Sequence, residues 1–191
     1  MRCGKPLGSE VEEYCPDCSG TSGAVSQGKS LWQHREPVSG ALYRFKYKNK
    51  RRWGKIFAGE LVQHYGRQLT QWKIDEIIPI PLHPSRRRLR GFNQAEILAE
   101  ELGSMCSLPV RSDVLFRIKK TAPQKDLGKR ERSSNLRGAF GVSGRWKPCK
   151  NVLLVDDIYT TGATVERAAK VLKIAGAQNV YFLTVSIGQG I

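Results

Sequence analysis

The apolar positions of the chain fall into two alternating patterns: short β-branched runs and longer stretches with helical spacing. Residues 152–155 form a run typical of a buried parallel strand, and residues 75–81 and 180–186 are interpreted as further strands. Residues 52–71 place their apolar side chains on one helical face, and a second helix is predicted over residues 163–175. Strands that alternate with helices predict an α/β fold with a doubly wound, mainly parallel sheet.

Shorter elements are predicted between these. Asn93, with Glu96 three residues later, has the pattern of a capping box ahead of a helix. Residues 114–118 are interpreted as a strand, and another strand is predicted to begin at Phe140. Residues 82–91 are interpreted as a loop that carries several arginines at the C-terminal end of its strand.

Two acids and a threonine-rich loop follow the strand at 152–155. Asp156 and Asp157 are expected at the strand's C-terminal end, where open α/β sheets bind ligands. Paired carboxylates can accept hydrogen bonds from vicinal hydroxyls and help hold Mg²⁺. The loop then enters a helix N-terminus, which favours an anion, through Thr160, Thr161, Gly162, Ala163 and Thr164. These features together indicate a ribose 5-phosphate site; the alternative is an ordinary strand-to-helix turn with solvated acids.

Residues 1–30 form a separate unit, rich in Cys, Gly, Pro and Ser and without aliphatic periodicity. Cys3 with the pair Cys15 and Cys18 is similar to part of a zinc ribbon, because a Cys-x-x-Cys pair is a good clip for tetrahedral Zn²⁺. The fourth ligand is missing. Either the chain begins late, or His34 or a solvent ligand completes the site, or the knuckle has decayed, or the unit is a reduced, metal-free tail.

The rest of the chain, residues 31–191, is predicted to be one domain, with a hood region over about residues 31–73. Residues 28–40 are interpreted as a linker. Aromatic and basic residues alternate over residues 43–51. That segment either stacks on and neutralises a nucleotide base, or it forms an amphipathic edge strand with its charges in water.

Composition narrows the class of protein. The chain has 191 residues, 40% of them hydrophobic, which is enough for a core. It has no apolar stretch of the roughly 18 residues that a membrane span needs and no apolar signal region, so a cytoplasmic protein is expected. A net charge of +15 attracts polyanions, either nucleic acid or a pyrophosphate compound. Much of the excess lies in residues 44–52, 86–90 and 119–137.

The segment 152–164 resembles the 5-phosphoribosyl-1-pyrophosphate (PRPP) signature of the type I phosphoribosyltransferases: apolar residues, an acidic pair, two residues, then Thr-Thr-Gly-x-Thr. The resemblance implies that Asp156 and Asp157 are catalytic residues that contact the ribose 2′- and 3′-hydroxyls and Mg²⁺. It implies that the Thr-Gly loop, residues 160–164, wraps the 5′-phosphate.

The same resemblance implies two further loops around the pyrophosphate. The first holds it and corresponds to Leu82, His83, Arg86 and Arg87. The second is a flexible loop that closes over the site, and its basic residues are Lys119, Lys120, Lys125 and Arg137. Breaking the C1–O bond of PRPP releases a highly charged anion, which fixed cations and Mg²⁺ stabilise. Surface charge or nucleic-acid contact is the alternative for the first loop.

A narrower resemblance covers nearly the whole chain. The segments 79–83, 90–94, 117–124 and 135–140, with the N-terminal Cys-x-x-Cys unit, look like the ComF family, which is associated with uptake of single-stranded DNA in natural transformation. The first hypothesis is a transferase that moves phosphoribosyl from PRPP to a nitrogenous acceptor. The second is a PRPP- or nucleotide-sensing module whose basic surface binds single-stranded DNA. The third is a scaffold in a DNA-uptake assembly; the oligomeric state is left open.

Overall fold

Strands and helices alternate along the folded part of the chain. The structure, a computed structural model, describes Gly4, Cys15 and residues 23–118 and 138–188. Its elements are β1 (Gln27–Gln33), α1 (Val38–Tyr47), α2 (Trp53–Trp72), β2 (Glu76–Pro79), α3 (Pro84–Arg90), α4 (Gln94–Cys106), β3 (Leu115–Arg117), β4 (Phe140–Val142), β5 (Asn151–Tyr159), α5 (Ala163–Ile174) and β6 (Asn179–Ile187).

The centre is a four-stranded sheet in the order β1-β6-β5-β2, in which every neighbouring pair is parallel. β5 lies between β2 and β6, with Leu154 opposite both Ile78 and Phe182. β3 and β4 pair separately as a small antiparallel ribbon. The predicted α/β fold with a mainly parallel sheet is therefore confirmed.

Both faces of the sheet are covered, which explains why the run in β5 is continuously apolar. Val152 and Leu154 pack into one core with α5, and Leu153 and Val155 pack into the other core with α1, α2 and α4. Successive strand residues point to opposite faces, so a strand between two helical layers needs an apolar side chain at every position. All four side chains are fully buried.

The interpretation of residues 28–40 as a linker is wrong, because β1 and the start of α1 lie within them. β1 is at the edge of the sheet that the described residues form, where it pairs with β6, and most of its side chains are only partly buried. Its sequence is therefore largely polar, and the strand signal is weak. Gly28 is needed for packing, since a Cβ there would overlap the Phe182 ring. β1 also begins before the predicted domain boundary at residue 30.

The edge-strand alternative for residues 43–51 is also wrong, because α1 continues to Tyr47. Tyr43 and Tyr47 are one helical turn apart on the exposed side, with ring centroids 5.1 Å apart. Phe45 points the other way and is fully buried against Phe57 and Phe92. Aromatic residues at every second position fit a strand by periodicity alone, and only burial distinguishes the two structures.

Residues 82–91 are not a loop throughout, because seven of them form α3. His83 caps the helix by accepting a hydrogen bond from the Ser85 N–H, Pro84 occupies the first turn, and Gly91 ends it with a φ of 79°. Proline at the start and glycine at the end are ordinary helix signals. These signals were hidden because α3 has no buried apolar face: none of its side chains is buried.

Two further elements position the site. Asn93 caps α4 as predicted, accepting from the Ala95 N–H, and its amide donates to the Ile80 carbonyl at 3.0 Å. β5 continues four residues beyond Val155, to Tyr159. Asp156 and Asp157 therefore lie within the strand rather than after it, in the part that projects past the end of β2.

Candidate functional site

A cleft of about 610 Å³ opens at the C-terminal edge of the sheet. It is bounded by the ends of β1, β2 and β5, the start of α5, one side of α1 and the helix α3. Its lining combines two acids, several cations and hydroxyl groups: His34, Ser39, Leu42, Tyr43, Lys46, Tyr47, Ile80, Pro81, Leu82, Arg86, Leu89, Arg90, Arg117, Asp156, Asp157, Ile158, Thr160 and Thr164.

The two acids stand side by side at the base of the cleft. The Asp156 carboxylate accepts a hydrogen bond of 2.8 Å from the Asp157 N–H. Burial and, next, the charge of Asp157 raise the pKa of Asp156 to about 7, while Lys46 and Arg117 act in the opposite direction. Asp156 is thus a carboxyl that exchanges its proton near neutral pH.

Lys46 of α1 forms an ion pair with the second acid, since its Nζ lies 2.7 Å from Asp157 Oδ2. Both side chains are largely buried. His34 lies nearby, with Nδ1 3.0 Å from the Ser186 hydroxyl, and burial and then the Lys46 charge lower its pKa. An imidazole of lowered pKa is neutral at physiological pH.

The Thr-Gly loop connects β5 to α5 at the floor of the cleft. Gly162 has a φ of 77°, and a Cβ there would overlap the Tyr159 hydroxyl. The Tyr159 ring is itself fixed by stacking on Phe182. Thr160 and Thr164 line the cleft. The Thr161 hydroxyl is buried, makes no hydrogen bond within the described part of the chain, and is not among the groups that line the cleft.

Three arginines from two elements line the cleft. Arg86 and Arg90 come from α3, and Arg117 comes from the end of β3. Burial, followed by the charge of Arg90, lowers the pKa of Arg86; burial, followed by the charge of Arg86, lowers the pKa of Arg117. Convergent guanidinium groups in a partly buried wall are suited to an anion with several phosphate oxygens.

The structure separates the residues predicted for the pyrophosphate. Leu82 and Arg86 line the cleft, whereas Arg87 is on the outer side of α3 and pairs with Glu96 at 2.6 Å. His83 caps α3 and does not line the cleft. The residues predicted for the flexible loop lie outside the described residues: Lys119, Lys120, Lys125 and Arg137.

Sequence reasoning missed several residues of the cleft. Lys46 was hidden because α1 was not recognised as a helix, and His34 was considered only as a zinc ligand. Arg90 was seen in a basic run but not assigned; its guanidinium stacks on Tyr47 at 4.9 Å. Arg117 had one usable signal, since it lies near the C-terminal end of the strand predicted over residues 114–118, and it is the last residue of β3.

The predicted metals differ in how the described residues fit them. For zinc, Cys3 and Cys18 lie outside the described residues, and Cys15 is buried among apolar side chains. In the described ranges no three His, Cys, Asp or Glu side chains gather as a metal site. For Mg²⁺, the carboxylates of Asp156 and Asp157 fit, because Mg²⁺ commonly takes one or two protein carboxylates together with substrate phosphates.

None of the helices in the described ranges combines the length and the apolar character needed to cross a membrane.

The fold and the site together define a class. A mainly parallel α/β sheet, with an acid pair and a Thr-Gly loop at its C-terminal edge, is consistent with a phosphoribosyltransferase-like fold. No model of a known protein family matches the sequence.

Relatives identify the family within that class. The chain is 32% identical over 186 residues to "Competence protein F" of Haemophilus influenzae, covering 93% of this chain and 81% of that protein. It is 31% identical over 180 residues to "Competence protein ComFC" of Streptococcus pneumoniae, covering 93% and 77%. It is 30% identical over 197 residues to "DNA utilization protein YhgH" of Salmonella typhi, covering 93% and 85%. The chain therefore belongs to the competence protein F (ComF) family.

Proposed function

We propose that the protein binds PRPP with Mg²⁺ in the cleft and transfers its phosphoribosyl group to a nitrogenous acceptor with release of pyrophosphate. We further propose that it serves DNA uptake in natural transformation, in keeping with the names of its relatives. The observation that carries the proposal is the placement of an acid pair, a Thr-Gly loop and three arginines around one cleft.

Each group has a role that its position supports. Asp156 and Asp157 accept hydrogen bonds from the ribose 2′- and 3′-hydroxyls. The Thr-Gly loop, with the amides at the start of α5, binds the 5′-phosphate. Arg86, Arg90 and Arg117 bind the pyrophosphate and stabilise it as it leaves. Asp156 and Asp157 would hold Mg²⁺ together with the phosphates of the substrate, and the ion would supply positive charge that stabilises the leaving pyrophosphate.

Calorimetry with PRPP and Mg²⁺ tests the site. The double variant Asp156→Asn/Asp157→Asn should weaken PRPP binding at least about a hundredfold, because two charge-assisted hydrogen bonds are lost. The matched control is Glu60→Gln/Asp113→Asn, which removes two charges that lie outside the cleft and should change binding less than about twofold. The absence of heat from the wild-type protein would refute the proposal.

Pyrophosphate release across a panel of nucleobases then tests transfer. If no nucleobase gives pyrophosphate release, the sensing module is favoured over the transferase.

A second function, binding of single-stranded DNA, is favoured by the outer face of α1. A groove of about 840 Å³ there is lined by Tyr43, Arg44, Lys48 and Lys50, with Glu36, Ser39 and Gly40. Tyr43 is 55% exposed, so its ring is available for stacking with a base. Cations beside an exposed aromatic ring are the usual means of holding a single strand without sequence preference. The relatives named DNA utilization proteins agree with this function.

Anisotropy with a labelled oligonucleotide tests the groove. The variant Tyr43→Ala/Lys48→Gln should weaken DNA binding by about tenfold or more, since base stacking and a phosphate contact are lost. The variant Arg67→Gln also removes one cation, but one that does not line the groove, and serves as the control for net charge. Affinity should fall steeply between about 50 and 200 mM salt. Equal weakening of DNA binding in both variants would mean that the groove does not contribute more to DNA binding than the rest of the basic surface.

A further inference from the structure

The side chain of Lys46 contacts the acid pair, which the resemblance to the phosphoribosyltransferases implies should bind sugar hydroxyls and Mg²⁺. The ammonium of Lys46 lies 2.7 Å from Asp157 Oδ2, and 16% of the Lys46 side chain is exposed against 12% of that of Asp157. The contact joins the hood to the acid pair. Lysine side chains on a helix surface normally extend into water, so this position requires an explanation.

The packing of α1 sets the direction of Lys46. Phe45 and Leu42 are buried in the core beneath the helix, which fixes its rotation and turns Lys46 towards β5. Leu42 also lines the cleft, on the same side of the helix as Lys46. Ordering a lysine side chain costs rotamer entropy, and its charge must find a partner when it is buried.

Other titratable side chains of the cleft surround this ion pair. Asp156 is adjacent to Asp157 in the chain, and His34 and Arg117 line the same cleft. Two neighbouring carboxylates in a partly buried site attract any available cation. Lys46 supplies such a cation from within the protein, because its ammonium is attached to the chain beside the acid pair.

We propose that Lys46 is a positioning residue that occupies the acid pair of the ligand-free protein as a tethered cation and is displaced from Asp157 when a divalent cation and the ribose hydroxyls arrive. The inference rests on the proposed function of the same cleft. Because the ammonium and a divalent cation compete for one carboxylate, Lys46 keeps the affinity of the empty site for free metal low. Metal then enters with its phosphorylated ligand rather than alone.

Binding of Mn²⁺ to the ligand-free protein, followed by electron paramagnetic resonance at about pH 8, tests the inference. Lys46→Met should bind Mn²⁺ about tenfold more tightly than wild type, because one positive charge leaves the acid pair. Lys48→Met is the matched control, since it makes the same change two residues away in a different groove. Its affinity should stay within about twofold of wild type. Lys46→Arg keeps the charge and should stay within about threefold.

The outcomes separate the alternatives. Equal affinity in Lys46→Met and Lys48→Met, or equal affinity in Lys46→Met and Lys46→Arg, would overturn the inference. So would an absence of Mn²⁺ binding in every variant. A purely structural ion pair would lower the melting temperature of Lys46→Met without changing its metal affinity. Lys46→Gln repeats the measurement if the methionine variant does not fold. PRPP calorimetry on the Asp156→Asn/Asp157→Asn protein decides the proposed function separately.

Discussion

Gly162 shows how one residue can fix the geometry of a binding loop. Its φ of 77° is strained for any residue with a side chain, and the Tyr159 hydroxyl fills the space that a Cβ would need. The loop can therefore turn from β5 into α5 within three residues only because this position is glycine. The tight turn brings the first amides of α5 towards the cleft.

Gly162→Ala is expected to lower the free energy of unfolding by about 2 kcal/mol or more, because strain and overlap add. It should also weaken PRPP binding. Gly144→Ala is the control: that glycine has no positive φ and no neighbour within contact distance. Its change in stability should remain within about 0.5 kcal/mol. Urea unfolding measures both, and equal values would show that the turn tolerates a side chain.

Asp156 provides a pH dependence of stability. Its pKa of about 7 in the folded protein exceeds its ordinary value of 3.8, so between these values the folded state holds a proton that the unfolded chain has released. The contribution of this carboxyl to stability is therefore fully present below about pH 4 and is lost as the pH rises through 7. Burial beside Asp157 is the cause.

Asp156→Asn should remove this dependence, so its stability relative to wild type should rise by about 1 kcal/mol or more between about pH 5 and pH 8. Asp113→Asn is the control, since hydrogen bonding to Arg111 lowers the pKa of Asp113 and keeps it ionised over that range. Its difference from wild type should not change with pH. Parallel pH profiles for wild type and Asp156→Asn would contradict the assignment.

At the scale of elements, Asn93 connects the end of β2 to the start of α4. The side chain is 2% exposed; it accepts from the Ala95 N–H and donates to the Ile80 carbonyl. Ile80 and the residues that follow it form part of the cleft wall. The helix α4 thus holds the wall in place through one buried amide.

Asn93→Ala should cost about 2–4 kcal/mol of unfolding free energy, since a cap is lost and the buried Ile80 carbonyl loses its partner. Arg52→Ala is the comparison, because Arg52 precedes α2 without a side-chain capping bond. That change should stay within about 0.5 kcal/mol. Urea denaturation of both variants tests the difference, and similar values would mean that α4 and β2 are held by other contacts.

At the scale of the molecule, the two cores meet through the shared sheet, and β5 contributes side chains to both. The cleft lies where α1, α3 and α5 approach the same edge of that sheet. A ligand bound there contacts elements from both layers. Ligand binding should therefore stabilise the whole domain rather than one part of it.

With PRPP and Mg²⁺ at about a hundred times the dissociation constant, the domain should gain about 2.7 kcal/mol and melt about 5–10 °C higher in a single transition. The Asp156→Asn/Asp157→Asn protein should show no such gain under the same conditions. Differential scanning calorimetry measures both. A ligand-induced second transition would show that only part of the domain responds.

How much the sequence predicted depended on how local each signal was. The strand, acids, glycine turn and helix of residues 152–174 are contiguous, so their order along the chain was enough to predict that the acids and the Thr-Gly loop lie at the edge of the sheet. The central strands were predictable because burial on both faces imposes unbroken apolar runs. β1 was missed because an edge strand has no such requirement, and α3 was missed because none of its side chains is buried.

The sequence by itself therefore determined the α/β class, the central strands and the acid and threonine groups at the edge of the sheet. Only the tertiary structure decided which cations face them. Arg86 lies inside the cleft and Arg87 outside it although they are neighbours. Lys46 reaches Asp157 across more than a hundred residues of chain. Such contacts depend on the rotation of whole helices against a distant core, and no local pattern of residues encodes that rotation.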